Sequence, residues 1–319
     1  PRMRVALIVA VVAACASALT VGATVLTRVE HEPPPGAAAW RSQRPPPLAL
    51  DLGVRTDPLA RALRRAETLY GDGRRAEARR IFMRYGSAQA QVGAALASWP
   101  RGTVARLERV TVEHPRSAVV RLHLGLALAA EGRPREARAA WRSAERTAPD
   151  SASAVRAEGL LHPRFAPWVP IFTPSFAAGA KDDRLSADRR LSVLARAARG
   201  GGPREQMLYG VALQQLGRRL SAERAFSEAA RIAPSSADAQ VAAAVGRFRK
   251  ARPARAFSRL GPLTRRFPRA ATVRFHLGLL LLWSGQREAA KRQLARAGEA
   301  NPNSRLAREA KRLVARLDS

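Results

Sequence analysis

From Pro58 to the end of the chain, apolar residues return every three or four positions, a spacing that predicts helix after helix with short turns between them. A longer rhythm of small and large residues lies over that spacing, with a period of 34 residues. A stretch starting at Ala118 carries Leu124-Gly125, Leu128, Gly132, Ala137, Trp141, Ala144 and Pro149. One starting at Pro203 carries Tyr209-Gly210, Leu213, Gly217, Ala222, Phe226, Ala229 and Pro234. A third, from Ala271, carries Leu277-Gly278, Leu281, Gly285, Ala290, Leu294, Ala297 and Pro302. Between the last two, 237–270 keeps the register with Ala256, Leu260 and Pro268.

Each unit reads as two helices joined at the mid-repeat glycine, where a left-handed backbone is cheap. The small positions let the two helices approach. Trp141, Phe226 or Leu294 fills the space between units, and the closing proline ends the second helix. Eight positions recurring at fixed offsets resemble the tetratricopeptide repeat family over roughly Pro58 to the end. The resemblance implies an all-α fold, a right-handed superhelix (α-solenoid) over 58–304 with about six to seven repeats. Clear units lie at 118–151, 203–236, 237–270 and 271–304. A degenerate stretch covers 59–117, and an inserted repeat covers 152–202 with a loop at 162–183. A capping helix over 305–319 closes the stack.

Upstream the pattern changes. After a short basic tail at 1–4, residues 5–27 are uncharged and about 35 Å long as a helix, enough to span a bilayer. They read as a transmembrane signal anchor. A cleaved signal peptide, giving a secreted protein, and a lipoprotein signal ending at Cys15 stay open. The very short basic amino end places the large domain on the extracytoplasmic side. Residues 28–57 hold two proline triplets, Pro33 to Pro35 and Pro45 to Pro47, and read as a stiff extended spacer.

Members of the family bind peptides on the concave face, lined by the first helix of each unit. By position, the resemblance implies a groove of Val119, Leu122, Leu126, Met207, Val211, Val241, Val245, Phe248, Phe275, Leu279, Leu282 and Trp283. Leu122 and Leu126 stand where carboxylate-clamping members carry Lys and Asn, which argues against that function. The proline-broken loop offers a second candidate through Phe165, Trp168, Phe172 and Phe176, for which self-burial, partner docking and membrane contact all stay open.

Arg, Ala and Leu dominate, and 56 basic against 25 acidic residues give a net charge of +31. Such an excess attracts anionic partners, an acidic protein among them. The five histidines show no metal-ligand spacing, and His123 and His276 occupy equivalent repeat positions, which speaks for architecture. Neither a phosphate-binding loop nor a nucleophile constellation is present, so no enzyme activity, cofactor or metal is expected. The expected function is a membrane-anchored scaffold that grips a partner peptide or helix in an apolar groove. Alternatives are an accessory of envelope assembly, of cytochrome-maturation or secretion type, and a basic nucleic-acid binder. Nucleic acid is disfavoured by the membrane segment and by aromatics not spread for base stacking. The oligomeric state is not read from the sequence.

Overall fold

The computed structural model describes residues 44–165, 169–176 and 185–318. The apolar stretch 5–27, Cys15 and the first proline triplet lie outside them. No helix among the described residues is long and apolar enough to cross a membrane.

Among the described residues all regular structure is helical, with fifteen helices and no strand, and consecutive helices pack against one another as pairs. Contacts divide the chain into an N-terminal unit within Glu32–Pro163 and a C-terminal unit that contains Arg164–Ser319. The N-terminal unit consists of α1 (Pro58–Gly71), α2 (Arg75–Phe82), α3 (Ala88–Ala97), α4 (Thr103–Glu113), α5 (Ala118–Ala130), α6 (Pro134–Thr147) and α7 (Ala152–Leu161). The C-terminal unit consists of α8 (Ala187–Gly200), α9 (Pro203–Gln215), α10 (Arg219–Ile232), α11 (Ala237–Gly246), α12 (Ala254–Arg266), α13 (Ala271–Trp283), α14 (Arg287–Ala300) and α15 (Arg305–Asp318).

Local chemistry sets the helix ends. Asp57, Ser87, Ser151 and Ser236 each accept the backbone N–H three residues on, and α1, α6 and α9 start with proline in the first turn. Gly132, Gly217 and Gly285 turn the chain between the two helices of a pair at φ of 79°, 71° and 83°.

Within a pair, a missing side chain faces a large one. A Cβ on Gly125 would lie 2.3 Å from the Trp141 ring, and one on Gly210 would lie 2.4 Å from the Phe226 ring. Trp141 then donates its indole N–H to the Leu122 carbonyl at 3.2 Å, across the same contact. The recurring small and large residues are thus the two sides of one interhelical packing contact. In the C-terminal unit, α15 carries Leu306, Ala310, Leu313 and Leu317 into a core shared with α13 and α14.

Candidate functional site

Each unit has a strip of its own chain laid against its first helices, and both strips contain proline. In the N-terminal unit the strip is 44–52. Tyr70 on α1 donates its hydroxyl to the Pro46 carbonyl at 2.6 Å, and the Leu50 N–H donates to the Glu67 carboxylate on the same helix at 2.8 Å. On the other side, the Ala49 N–H donates to Nε2 of His123 on α5 at 3.1 Å. Successive N–H groups of an extended chain point in opposite directions, so this strip runs between α1 and α5. Asp51 then accepts the N–H of Ser153 at 3.3 Å and its hydroxyl at 3.4 Å, at the start of α7. A carboxylate there meets the unpaired N–H groups of a helix N-terminus. Leu50 and Leu52 are buried in the core of the unit.

Part of the stretch expected to act as a free spacer is therefore packed. A strip outside any helix suits this role, because it leaves its N–H and C=O groups for neighbours to satisfy.

In the C-terminal unit the strip is 169–176. The Phe172 N–H donates to Gln214 on α9 at 3.0 Å, and the Thr173 N–H donates to Nε2 of His276 on α13 at 2.9 Å. Ser175 donates its N–H to Asp238 on α11 at 3.4 Å, and its hydroxyl donates to the same carboxylate. Phe172 is fully buried, edge-on to Phe226 at 5.5 Å and stacked on the His276 ring at 5.2 Å. Phe165 stacks on Trp283 at 4.4 Å, and Arg204 lies over the Phe176 ring at 4.7 Å. Phe165 and Phe176 stay half-buried. Self-burial is thus the fate of Phe172; Trp168 lies outside the described residues.

The two histidines are set up identically. Nδ1 of His123 donates to the Val119 carbonyl one turn back at 2.7 Å, and Nδ1 of His276 donates to the Thr272 carbonyl at 2.7 Å. That contact leaves Nε2 with its lone pair, facing the strip. Burial pushes both imidazoles down to about 4 from 6.5. Both rings are therefore neutral at physiological pH, which an acceptor of backbone N–H groups has to be. Around the N-terminal strip, burial lifts the Glu67 carboxyl while the Leu50 N–H opposes it, and burial lowers the Arg156 guanidinium against the pull of Glu67 and Asp51.

Aligned on Gly73 and Gly217, the two units match further. Ala78 and Phe82 fall on Ala222 and Phe226, and Tyr70 falls where Gln214 stands. After a five-residue insertion in the second unit, Ser87, Ala88, Ala90, Gln91 and Val92 recur as Ser236, Ala237, Ala239, Gln240 and Val241. The chain is built twice from one plan, a strip followed by helix pairs, and both copies keep the histidine that holds the strip.

Of the residues expected to line an open groove, Val119, Leu122, Met207, Val211, Val241, Val245, Phe248, Phe275, Leu279, Leu282 and Trp283 are buried, and Leu126 is half-buried. They pack between helices and beneath the strips, because a first helix at 34-residue spacing turns most of its apolar surface to its neighbours. Trp283 stacks on Phe165, upstream of the strip, with Phe248 edge-on to it at 4.5 Å. Reasoning from the sequence missed the polar groups that hold the strips: Tyr70, Glu67, Ser153, Gln214 and Asp238. It read His123 and His276 as architectural; their recurrence on strongly apolar helices was the available signal of a shared partner. Among the described residues no group of three or more potential ligands could hold a metal ion.

No family model matches this sequence, and no curated protein matches it. Among solved structures, it is similar to a tetratricopeptide repeat protein from Parabacteroides merdae, at 12% identity over 82% of this chain and 99% of that one, with a TM-score of 0.34. YrrB, a TPR protein with an unusual peptide-binding site, matches at 17% identity over 65% of this chain and 97% of that one, with a TM-score of 0.32. Yeast Tom70 matches at 12% identity over 93% of this chain and 57% of that one, with a TM-score of 0.39.

Proposed function

We propose that this chain is a non-catalytic protein-interaction scaffold, tethered to a membrane by residues 5–27 with its helical part on the extracytoplasmic side. Its helical units hold partner polypeptides as extended chains. One observation carries the reading: in both units an extended strip is held through its main chain by side chains on several first helices, with the same buried histidine at its centre. Two strips with different sequences, Pro-Leu-Ala-Leu-Asp and Ile-Phe-Thr-Pro-Ser, are accepted by the same device. A main-chain reader of this kind tolerates sequence, as partner-binding scaffolds need.

The charge excess supports acidic partners. From 239 to 287 there is no acidic residue, while Arg252, Arg255, Arg259, Arg265 and Arg269 are exposed along and beside α12. Like charges at the i,i+4 spacing of Arg255 and Arg259 repel in the free protein, so an acidic surface laid against them relieves that repulsion and speeds encounter.

Two measurements test the reading. Deleting 5–27 moves the protein from the membrane to the soluble fraction; a full chain that is already soluble removes the tether. Crosslinking from intact membranes recovers polypeptide partners joined to the helical units; a chain that crosslinks to none removes the scaffold.

A further inference from the structure

The geometry points to the C-terminal strip being a displaceable stand-in for a partner peptide, while the N-terminal strip is a permanent strap. This rests on the reading of the helical units as holders of extended chains, and adds which unit is available and to what.

The difference lies at the residue whose N–H meets the histidine. In the N-terminal unit that residue is Ala49, which brings no polar side chain. In the C-terminal unit it is Thr173, buried at 7% exposure, and its hydroxyl has no hydrogen-bond partner among the described residues. A buried hydroxyl without a partner loses its hydration and gains nothing in return. The resident strip is thus an imperfect ligand for its own groove. The rest of the contact is of high quality: Phe172 is enclosed, and the N–H groups of Phe172, Thr173 and Ser175 are all satisfied. The fastenings differ too. The N-terminal strip is held by Tyr70, Glu67 and the Asp51–Ser153 contact, with Arg156 close to both carboxylates. The C-terminal strip is held by the Phe172 anchor, by main-chain contacts, by the Ser175 hydroxyl on Asp238 and by Arg204 over the Phe176 ring, with no ion pair of its own among the described residues.

The peptide that replaces it is extended, with an aromatic residue where Phe172 sits, then a small apolar residue in place of Thr173, then a residue donating its hydroxyl to Asp238. The resident strip competes with it at an effective concentration of roughly millimolar, as a covalently tethered ligand does. The groove therefore stays closed to weak ligands and opens to a better one.

The test uses the purified full chain in detergent and a fluorescent peptide, Val-Pro-Ile-Phe-Ala-Pro-Ser-Phe, followed by anisotropy. Wild type takes it up. Phe172→Ala, which weakens the resident strip, takes it up at least tenfold more tightly, a lower bound on the effect of removing a buried aromatic anchor from the competitor. Thr173→Ala, which repairs the resident strip, takes it up about tenfold more weakly, the effect of one orphaned hydroxyl. Helicity is read alongside by circular dichroism. Should Phe172→Ala lose it, wild type and Thr173→Ala decide. No uptake by wild type up to millimolar peptide, or uptake that Thr173→Ala leaves unchanged, overturns the inference. These readings need no cellular partner. Peptide uptake without crosslinked partners removes the scaffold reading alone, and crosslinked partners without uptake remove this one alone.

Discussion

In the N-terminal unit the held strip carries two buried leucines and an aspartate, and it is fixed by Tyr70, Glu67 and the first turn of α7. In the C-terminal unit the strip has Phe172 as its anchor and meets Gln214, Asp238 and His276. The histidine contact is common to both, and so is its geometry. What surrounds it is not. The N-terminal groove is a charged clasp around its strip, whereas the C-terminal groove encloses an aromatic ring and a strip hydroxyl that has no partner among the described residues. The part that reads main chain is common to the two units, and the part that reads side chains differs. The reason is physical: a backbone N–H is the same at every residue, so the group that accepts it does not change when the strip's sequence does.

The largest test of this contrast removes the anchors. Phe172→Ala should lower the stability of the C-terminal unit by about 4 kcal/mol, since a fully buried aromatic side chain is lost, and Leu50→Ala should lower that of the N-terminal unit by about 2 kcal/mol. Urea denaturation, with hydrogen exchange reporting each unit separately, measures both. Equal losses would mean that the two strips are fastened alike.

The pH dependence comes next. A histidine held near 4 in the folded protein and near 6.5 in the unfolded one binds fewer protons when folded, so its contribution is present above pH 6.5 and is lost as pH falls from 6.5 towards 4. Each buried ring accounts for about 3 kcal/mol across that window. The neighbours then separate the units. Arg156 disfavours the charged form of His123, while Asp238 favours that of His276. The N-terminal unit should therefore lose more stability on acidification, with exchange at Ala49 rising further than exchange at Thr173. The reverse order would break the assignment of those neighbours.

Replacing either histidine by phenylalanine leaves a strip N–H without an acceptor and should lower stability by about 1–3 kcal/mol, by similar amounts in the two units. A loss confined to one unit would show that only one contact matters. The smallest effect sharpens the hydroxyl argument. Thr173→Ala should raise stability by about 1 kcal/mol, since it removes a buried unpaired group. Ala49→Thr, at a half-buried site, should change it by less than about 0.5 kcal/mol. Thermal melts of the two variants check the pair.

Much of the fold was legible in the sequence because helix pairing is a local affair. Gly125 must face Trp141 and Gly210 must face Phe226, and both partners of each contact sit within one repeat at a fixed offset. Turns at Gly132, Gly217 and Gly285 announce themselves in the same way, since a left-handed backbone selects glycine. The repeated His123 and His276 were visible as well, though not what they hold. That the grooves are occupied could be decided only by the tertiary structure. The strips reach their sites across long stretches of chain, from Ala49 to His123 and from Thr173 to His276. They are held by N–H and C=O groups that every residue shares. A main-chain contact leaves no mark in the residue types of the strip. The pairing of Pro-Leu-Ala-Leu-Asp with one groove and Ile-Phe-Thr-Pro-Ser with the other therefore became visible only once the helices had brought the acceptors together.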